Sequence, residues 1–171
     1  MVLRELEMTR IVKTFLLVLS FLTVMVVPGW SVGVGEPMPD FALQTFDGSK
    51  LSRATLEGKP LLLVFWNTWC PNCMRELPRI NRLAEEFGPR GLKVLAVNTG
   101  INDAEGKARA FWKKHGYGFP TGFDHVFEIG QAFRVRGVPT IFLIDSRGVV
   151  RYKHVQLPEN MEEYFKQLIR N

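Results

Sequence analysis

Cysteine is nearly absent from this chain of 171 residues: there are two, Cys70 and Cys73. Two cysteines exclude a framework of several disulfides. They also fall short of the four ligands of a usual structural zinc site. The three histidines, His115, His125 and His154, are scattered and do not repeat the cysteine spacing. No block of like charge breaks the sequence, and no basic stripe is interleaved with aromatics, although the formal net charge is +5. That excess favours solubility and mild attraction to anionic surfaces, and it argues against nucleic-acid binding. Internal repeats and low-complexity tracts are missing too. An apolar fraction of 46% is enough for an ordinary globular core, and the length suits one domain with a short extension.

One long stretch near the N-terminus lacks charge. Thr14 to Val27 is apolar apart from small hydroxyl residues and follows Arg4, Arg10 and Lys13. A basic flank before an apolar run is the form of a signal peptide or signal anchor over residues 1–27. No clear small-x-small cleavage pattern follows, and Trp30 resembles an interfacial anchor, so the uncleaved anchor is favoured. Fourteen residues reach about 21 Å as a helix, against about 30 Å of hydrocarbon. A span over residues 11–34 would reach across. The positive-inside tendency then places the following domain on the extracytoplasmic, periplasmic side of an inner membrane. Residues 28–39, rich in Gly and Pro, read as a linker, and residues 40–171 as the folded domain.

The domain reads as strands alternating with helices. Phe41–Phe46, the Asp47-Gly48 turn and Lys50-Leu51 form a small hairpin, and Ser52–Leu56 one helical turn. Leu61–Trp66 is too apolar for an edge strand and belongs at the centre of a sheet. A helix is expected over residues 71–87, with Leu77, Ile80, Ala84 and Phe87 on its inner face. Leu92–Val97 is a second strand. Asn102 or Asp103 is expected to cap a further helix ending before Gly116. Phe119-Pro120 starts an extended piece, and Val126–Phe133 reads as a short helix. Ile141–Ile144 and Val149–Tyr152 form an antiparallel pair, and Pro158 opens a last helix. The expected fold is α/β, with a parallel right-handed crossover inside a mixed sheet.

The two cysteines stand where the central strand hands over to the first long helix, in Trp69-Cys70-Pro71-Asn72-Cys73. A cysteine at a helix start faces free N–H groups and the positive end of the helix dipole, which favour thiolate over thiol. Cys70 is therefore expected to be the exposed nucleophile and Cys73, one turn further in, the buried resolving thiol. Pro71 suits the first helical position. Glu76 follows Cys73 by three residues on the same ridge, so it is either a proton carrier for Cys73 or a solvated surface carboxylate. Pro78 should kink the helix. Val138-Pro139-Thr140 is either a simple turn or a cis-proline bend beside the cysteines, with the Val138 backbone free to pair with an extended substrate.

Several stretches together resemble the TlpA/ResA/CcmG group of membrane-anchored, thioredoxin-like thiol-disulfide oxidoreductases: residues 65–73 (Phe-Trp-Asn-Thr-Trp-Cys-Pro-Asn-Cys), Glu76, Pro78, Val94–Asn98, Phe119-Pro120, Gly137–Asp145 and the opening Pro37–Phe41. The resemblance runs from about residue 36 to the C-terminus. It implies a thioredoxin-like fold, a central mixed sheet flanked by helices with an N-terminal hairpin extension. It implies Cys70, Cys73 and Glu76 as catalytic residues, and Trp69, Pro71, Val138 and a cis Pro139 as substrate-binding ones. No cofactor or metal is implied. The implied partners are client proteins with disulfides, among them apocytochrome c or a metal-centre assembly protein, and a membrane thiol transporter of the DsbD/CcdA type as electron donor. One departure from ordinary thioredoxin is Val64, where thioredoxin keeps a buried Asp; proton handling then falls to Glu76. Three other readings compete. A copper-handling protein of the SCO kind would space its cysteines by three residues, not two. A peroxiredoxin-like peroxidase has the Pro-Asp-Phe opening in its favour and the Cys-x-x-Cys junction against it. A non-catalytic binding module leaves the paired thiols without a use.

Overall fold

The computed structural model describes residues 32–170. The segment 1–27, and all of the expected anchor over 11–34 except its last three residues, lie outside them. Among the described residues no helix is long and apolar enough to cross a membrane.

A hairpin of β1 (Ala42–Gln44) and β2 (Lys50–Ser52) forms a small sheet of its own beside a five-stranded one, bridged to it between Thr45 and Gly122. The five-stranded sheet consists of β3 (Leu61–Trp66), β4 (Lys93–Asn98), β5 (Thr121–Phe123), β6 (Thr140–Ile144) and β7 (Val150–His154), in the order β5-β4-β3-β6-β7. The β3–β4 and β4–β5 pairs are parallel, while β3–β6 and β6–β7 are antiparallel. The helices are α1 (Arg53–Leu56), α2 (Pro71–Phe87), α3 (Glu105–His115), α4 (Glu128–Ala132) and α5 (Met161–Arg170).

Central β3 is buried at every residue, as its unbroken apolar run requires. Its alternation divides the core. Leu62, Val64 and Trp66 face Leu77 and Ile80 of α2, Ala108 and Trp112 of α3, and Phe165 of α5. Leu61, Leu63 and Phe65 face Phe41, Leu43, Ile129 and Phe133 on the other side. Val64, at the position of thioredoxin's Asp, is wholly enclosed. Helix α3 ends as its sequence directs: Gly116 takes the left-handed conformation (φ +64°) and its N–H reaches the Trp112 carbonyl.

Four expectations need correction. Residues 32–38 are no linker: Val32 and Met38 are buried, and Gly35 and Met38 donate backbone hydrogen bonds to Val150 and Gly148. Gly and Pro in this stretch shape a segment laid against the start of β7. Helix α3 begins at Glu105 behind Ala104, which makes no side-chain cap. Asn102 has a positive φ, and the Asp103 carboxylate is drawn away to the cysteine loop. Helix α4 covers only Glu128–Ala132, because Phe127 before it takes the left-handed conformation (φ +59°); Asp124, just past β5, accepts from the Gly130 N–H in its first turn. The last helix starts at Met161, not Pro158; Asn160 Oδ1 accepts from the Glu163 N–H at its first turn.

Candidate active site

The site lies at the C-terminal ends of β3 and β4, where crevices form in open α/β sheets. Cys70 is the N-cap residue of α2, with Pro71 at the first position, and its Sγ accepts from the Cys73 N–H at 3.1 Å. The two sulfurs are joined as a disulfide, so the structure is that of the oxidised protein. In the reduced protein the same N–H and the helix terminus would stabilise a Cys70 thiolate. The expected contrast in exposure is not found. Cys70 is 3% exposed and Cys73 1%. Trp69 and Val138 border Cys70, so the sulfur sits beneath the surface at the helix start while Trp69, Pro71 and Asn72 remain exposed beside it.

The Val138–Pro139 peptide is cis, as the resemblance implied. It brings the Val138 carbonyl oxygen to 3.4 Å from Cys70 Sγ. Val138 is half-buried and Pro139 buried. Trp69 is 47% exposed, and its indole N–H donates to the Ile101 carbonyl at 3.0 Å. Trp69, Ile101, Phe127, Val135 and Val138 line a pocket of about 270 Å³ next to the cysteines.

Glu76 is 6% exposed, which removes the solvated-surface reading. It lies one turn beyond Cys73 on the buried side of α2. One carboxylate oxygen accepts from Arg79 at 2.9 Å and the other from the Leu157 N–H at 3.1 Å. Helix α2 is continuous through Pro78.

A second polar group, behind the cysteine loop, was not assigned a role from sequence. Asn67 and Asn98, both fully buried, sit at the ends of adjacent strands. Asn67 Nδ2 donates to Asn98 Oδ1 (3.2 Å) and to the Ile101 carbonyl (3.3 Å), and Thr99 Oγ1 donates to Asn67 Oδ1 (2.6 Å). The Asp103 carboxylate accepts from the Thr68 N–H (2.6 Å), Thr68 Oγ1 (2.6 Å) and Asn98 Nδ2 (2.8 Å). Burial pushes the Asp103 carboxyl up, but hydrogen bonds from Asn98, Thr68 and Ala104 together outweigh it and hold it below the usual carboxylate range. The signal that could have found this group was the Asn ending each of two apolar strands.

This arrangement supports thiol–disulfide exchange. A Cys70 thiolate attacks one sulfur of a disulfide and expels the other as thiolate; Cys73 then attacks Cys70 Sγ, releases the second thiolate and leaves the disulfide seen here. Two electrons pass to the attacked disulfide in each such exchange. Among the described residues no group of three or more His, Cys, Asp or Glu could hold a metal ion. His115 rests against the Phe111 carbonyl and His125 lies near Glu105.

Residues 34–153 match the AhpC/TSA family. The chain is 34% identical over 137 residues to the thiol-disulfide oxidoreductase ResA of Halalkalibacterium halodurans, covering 80% of this chain and 77% of that one. It is 37% identical over 122 residues to the thioredoxin-like protein YneN of Bacillus subtilis, with 71% of each covered. A solved structure assigned as the thiol:disulfide interchange protein DsbE of Chlorobium tepidum aligns with a TM-score of 0.70 at 31% identity, over 82% of this chain and 97% of that one. With a disulfide-forming Cys-x-x-Cys at a strand–helix junction, a cis proline against its first sulfur and these relatives, the chain belongs to the AhpC/TSA family as a thioredoxin-fold thiol-disulfide oxidoreductase of the ResA kind.

Proposed function

We propose that the protein is an extracytoplasmic reductant of disulfides in client polypeptides, held to the inner membrane by its N-terminal apolar run. Its clients would be apocytochrome c, at the cysteines that later carry haem, or a metal-centre assembly protein. A membrane thiol transporter of the DsbD/CcdA type would return it to the dithiol state. The observation that carries a polypeptide client is the Val138 carbonyl beside Cys70 Sγ. An extended client strand pairing with that backbone brings its own sulfur to Cys70. The basic flank and apolar run at the N-terminus support the location.

In this reading Glu76 takes the proton of Cys73 as Cys73 becomes the resolving nucleophile, and returns it when the pair is next reduced. Its burial one turn from Cys73 favours that use over a surface role.

Trapping tests the proposal. Cys73→Ser in cells should accumulate mixed disulfides through Cys70 with extracytoplasmic proteins, and Cys70→Ser should abolish reduction of insulin disulfides. Full insulin turnover by the Cys70→Ser protein would sink the mechanism. Consumption of peroxide at rates exceeding disulfide exchange would favour a peroxidase, and Cys-dependent retention of Cu(I) a copper carrier.

A further inference from the structure

The loop that carries Val138 to Cys70 also carries Arg134 and Arg136, both exposed. Opposite them on β7 stand Lys153 and His154. With Val138 and Val155 these residues line a groove of about 510 Å³, and no Asp or Glu lines it. Other arginines, such as Arg79, Arg90, Arg109 and Arg151, have carboxylate partners. Among the described residues neither Arg134 nor Arg136 has one. Lys153 donates to the Val32 carbonyl at 2.9 Å and lies over the Phe142 ring. Its ammonium is held below the usual lysine range, first by burial and then by the charges of Arg136 and Arg134. Three cations thus converge with no anion among them. Arg134 also has a φ of +48°, just past the end of α4, where glycine is the usual residue. A charged side chain stands where the backbone would favour none.

We propose that this groove receives acidic side chains of the client polypeptide that flank the disulfide attacked by Cys70. The inference rests on the polypeptide client put forward above and adds a charge requirement to it. The groove begins at Val138, whose carbonyl touches Cys70 Sγ. An extended chain advances about 3.3 Å per residue, so a carboxylate two or three residues from the client cysteine reaches the basic wall. On the other side of Val138 lies the apolar pocket of Trp69 and Ile101, which also touches Arg136. A client segment is therefore sorted by charge on one side of its cysteine and by apolar surface on the other. Such a contact acts mainly on encounter and orientation, and weakens with salt.

The test uses the full chain in detergent, reduced beforehand, and two disulfide peptides that differ only in Asp-Glu against Asn-Gln beside the cysteine. At low salt the acidic peptide should be reduced with about a tenfold larger second-order rate constant, and added salt should shrink the ratio. Arg134→Gly combined with Arg136→Gln should bring the ratio to about one or two. Because both peptides are measured on one preparation, a loss common to both cancels. Arg136→Glu should shift preference toward a Lys-flanked peptide. Equal rates on the acidic and amide peptides in the unmodified chain overturn the proposal and leave the oxidoreductase reading standing. Failure to reduce either peptide overturns that reading itself. Retention on phosphatidylglycerol vesicles that the double substitution abolishes, without any peptide preference, overturns the proposal in favour of a lipid surface.

Discussion

Two polar assemblies flank the cysteine pair, and they are built on opposite principles. Behind the loop leading into Cys70, Asn67, Thr68, Asn98, Thr99 and Asp103 are linked to one another and to the backbone of Gly100, Ile101 and Ala104. Beyond Cys73, Glu76 stands with one backbone N–H and one arginine that is 43% exposed. The first is a closed network, in which losing any member strands several others. The second is a carboxylate whose partners come from a half-exposed side chain and a loop. Closure fixes the loop that leads into Trp69 and Cys70; the looser arrangement leaves Glu76 joined to solvent through Arg79.

Breaking the closed network should therefore have the largest effect on stability. Asp103→Ala removes the acceptor of the Thr68 N–H, the Thr68 hydroxyl and Asn98. It should destabilise the protein by about 2–4 kcal/mol in urea unfolding. A cost within about 0.5 kcal/mol, the level of an ordinary surface change, would erase the contrast. A pH series sharpens it. The Asp103 carboxyl is held below its usual range in the folded protein, so its ionised form stabilises the fold above the unfolded value of about 3.9. That contribution is lost as pH falls through the folded value. The stability gap between the native chain and Asp103→Asn should be constant above about pH 5 and narrow below about pH 4.

Most of the strand and helix order could be read from the chain, because the signals were local: the apolar run at Leu61–Trp66, the helical spacing of Leu77 and Ile80, the Gly116 stop. The boundaries that escaped were set by tertiary partners. Asp103 has a fine sequence position for a cap, yet Thr68 and Asn98 claim its carboxylate from 35 and 5 residues away. The Gly- and Pro-rich residues 32–38 carry no strand pattern, and only β7 gives their backbone a use. At the site, Cys70, Cys73 and Pro139 were legible as a motif. The burial of Cys70 was not, since it depends on Val138, 68 residues later. The arginines on that loop were equally silent.

Glu76→Gln comes next in size. The amide oxygen can still accept from the Leu157 N–H while its NH₂ displaces Arg79 toward solvent, so the expected stability cost is about 1 kcal/mol. On the proposed role the rate of resolution by Cys73 should fall by about tenfold or more, with the pH dependence of that step altered. A normal resolution rate in stopped-flow measurements would reduce Glu76 to a structural carboxylate.

The smallest effect is expected at Arg79. Its guanidinium is nearly half exposed and pairs with Glu76 three residues away on the same helix. Truncation to Ala leaves water free to approach the oxygen it covered, so the Coulombic loss is screened and the desolvation of Glu76 is partly relieved. Pairs of this kind contribute about 0.2–1 kcal/mol. Arg79→Ala should therefore shift urea midpoints far less than Asp103→Ala. Equal stability losses at Arg79 and Asp103 would mean that both assemblies are closed networks, and the division between a rigid support and an open, solvent-linked pair would fail with them.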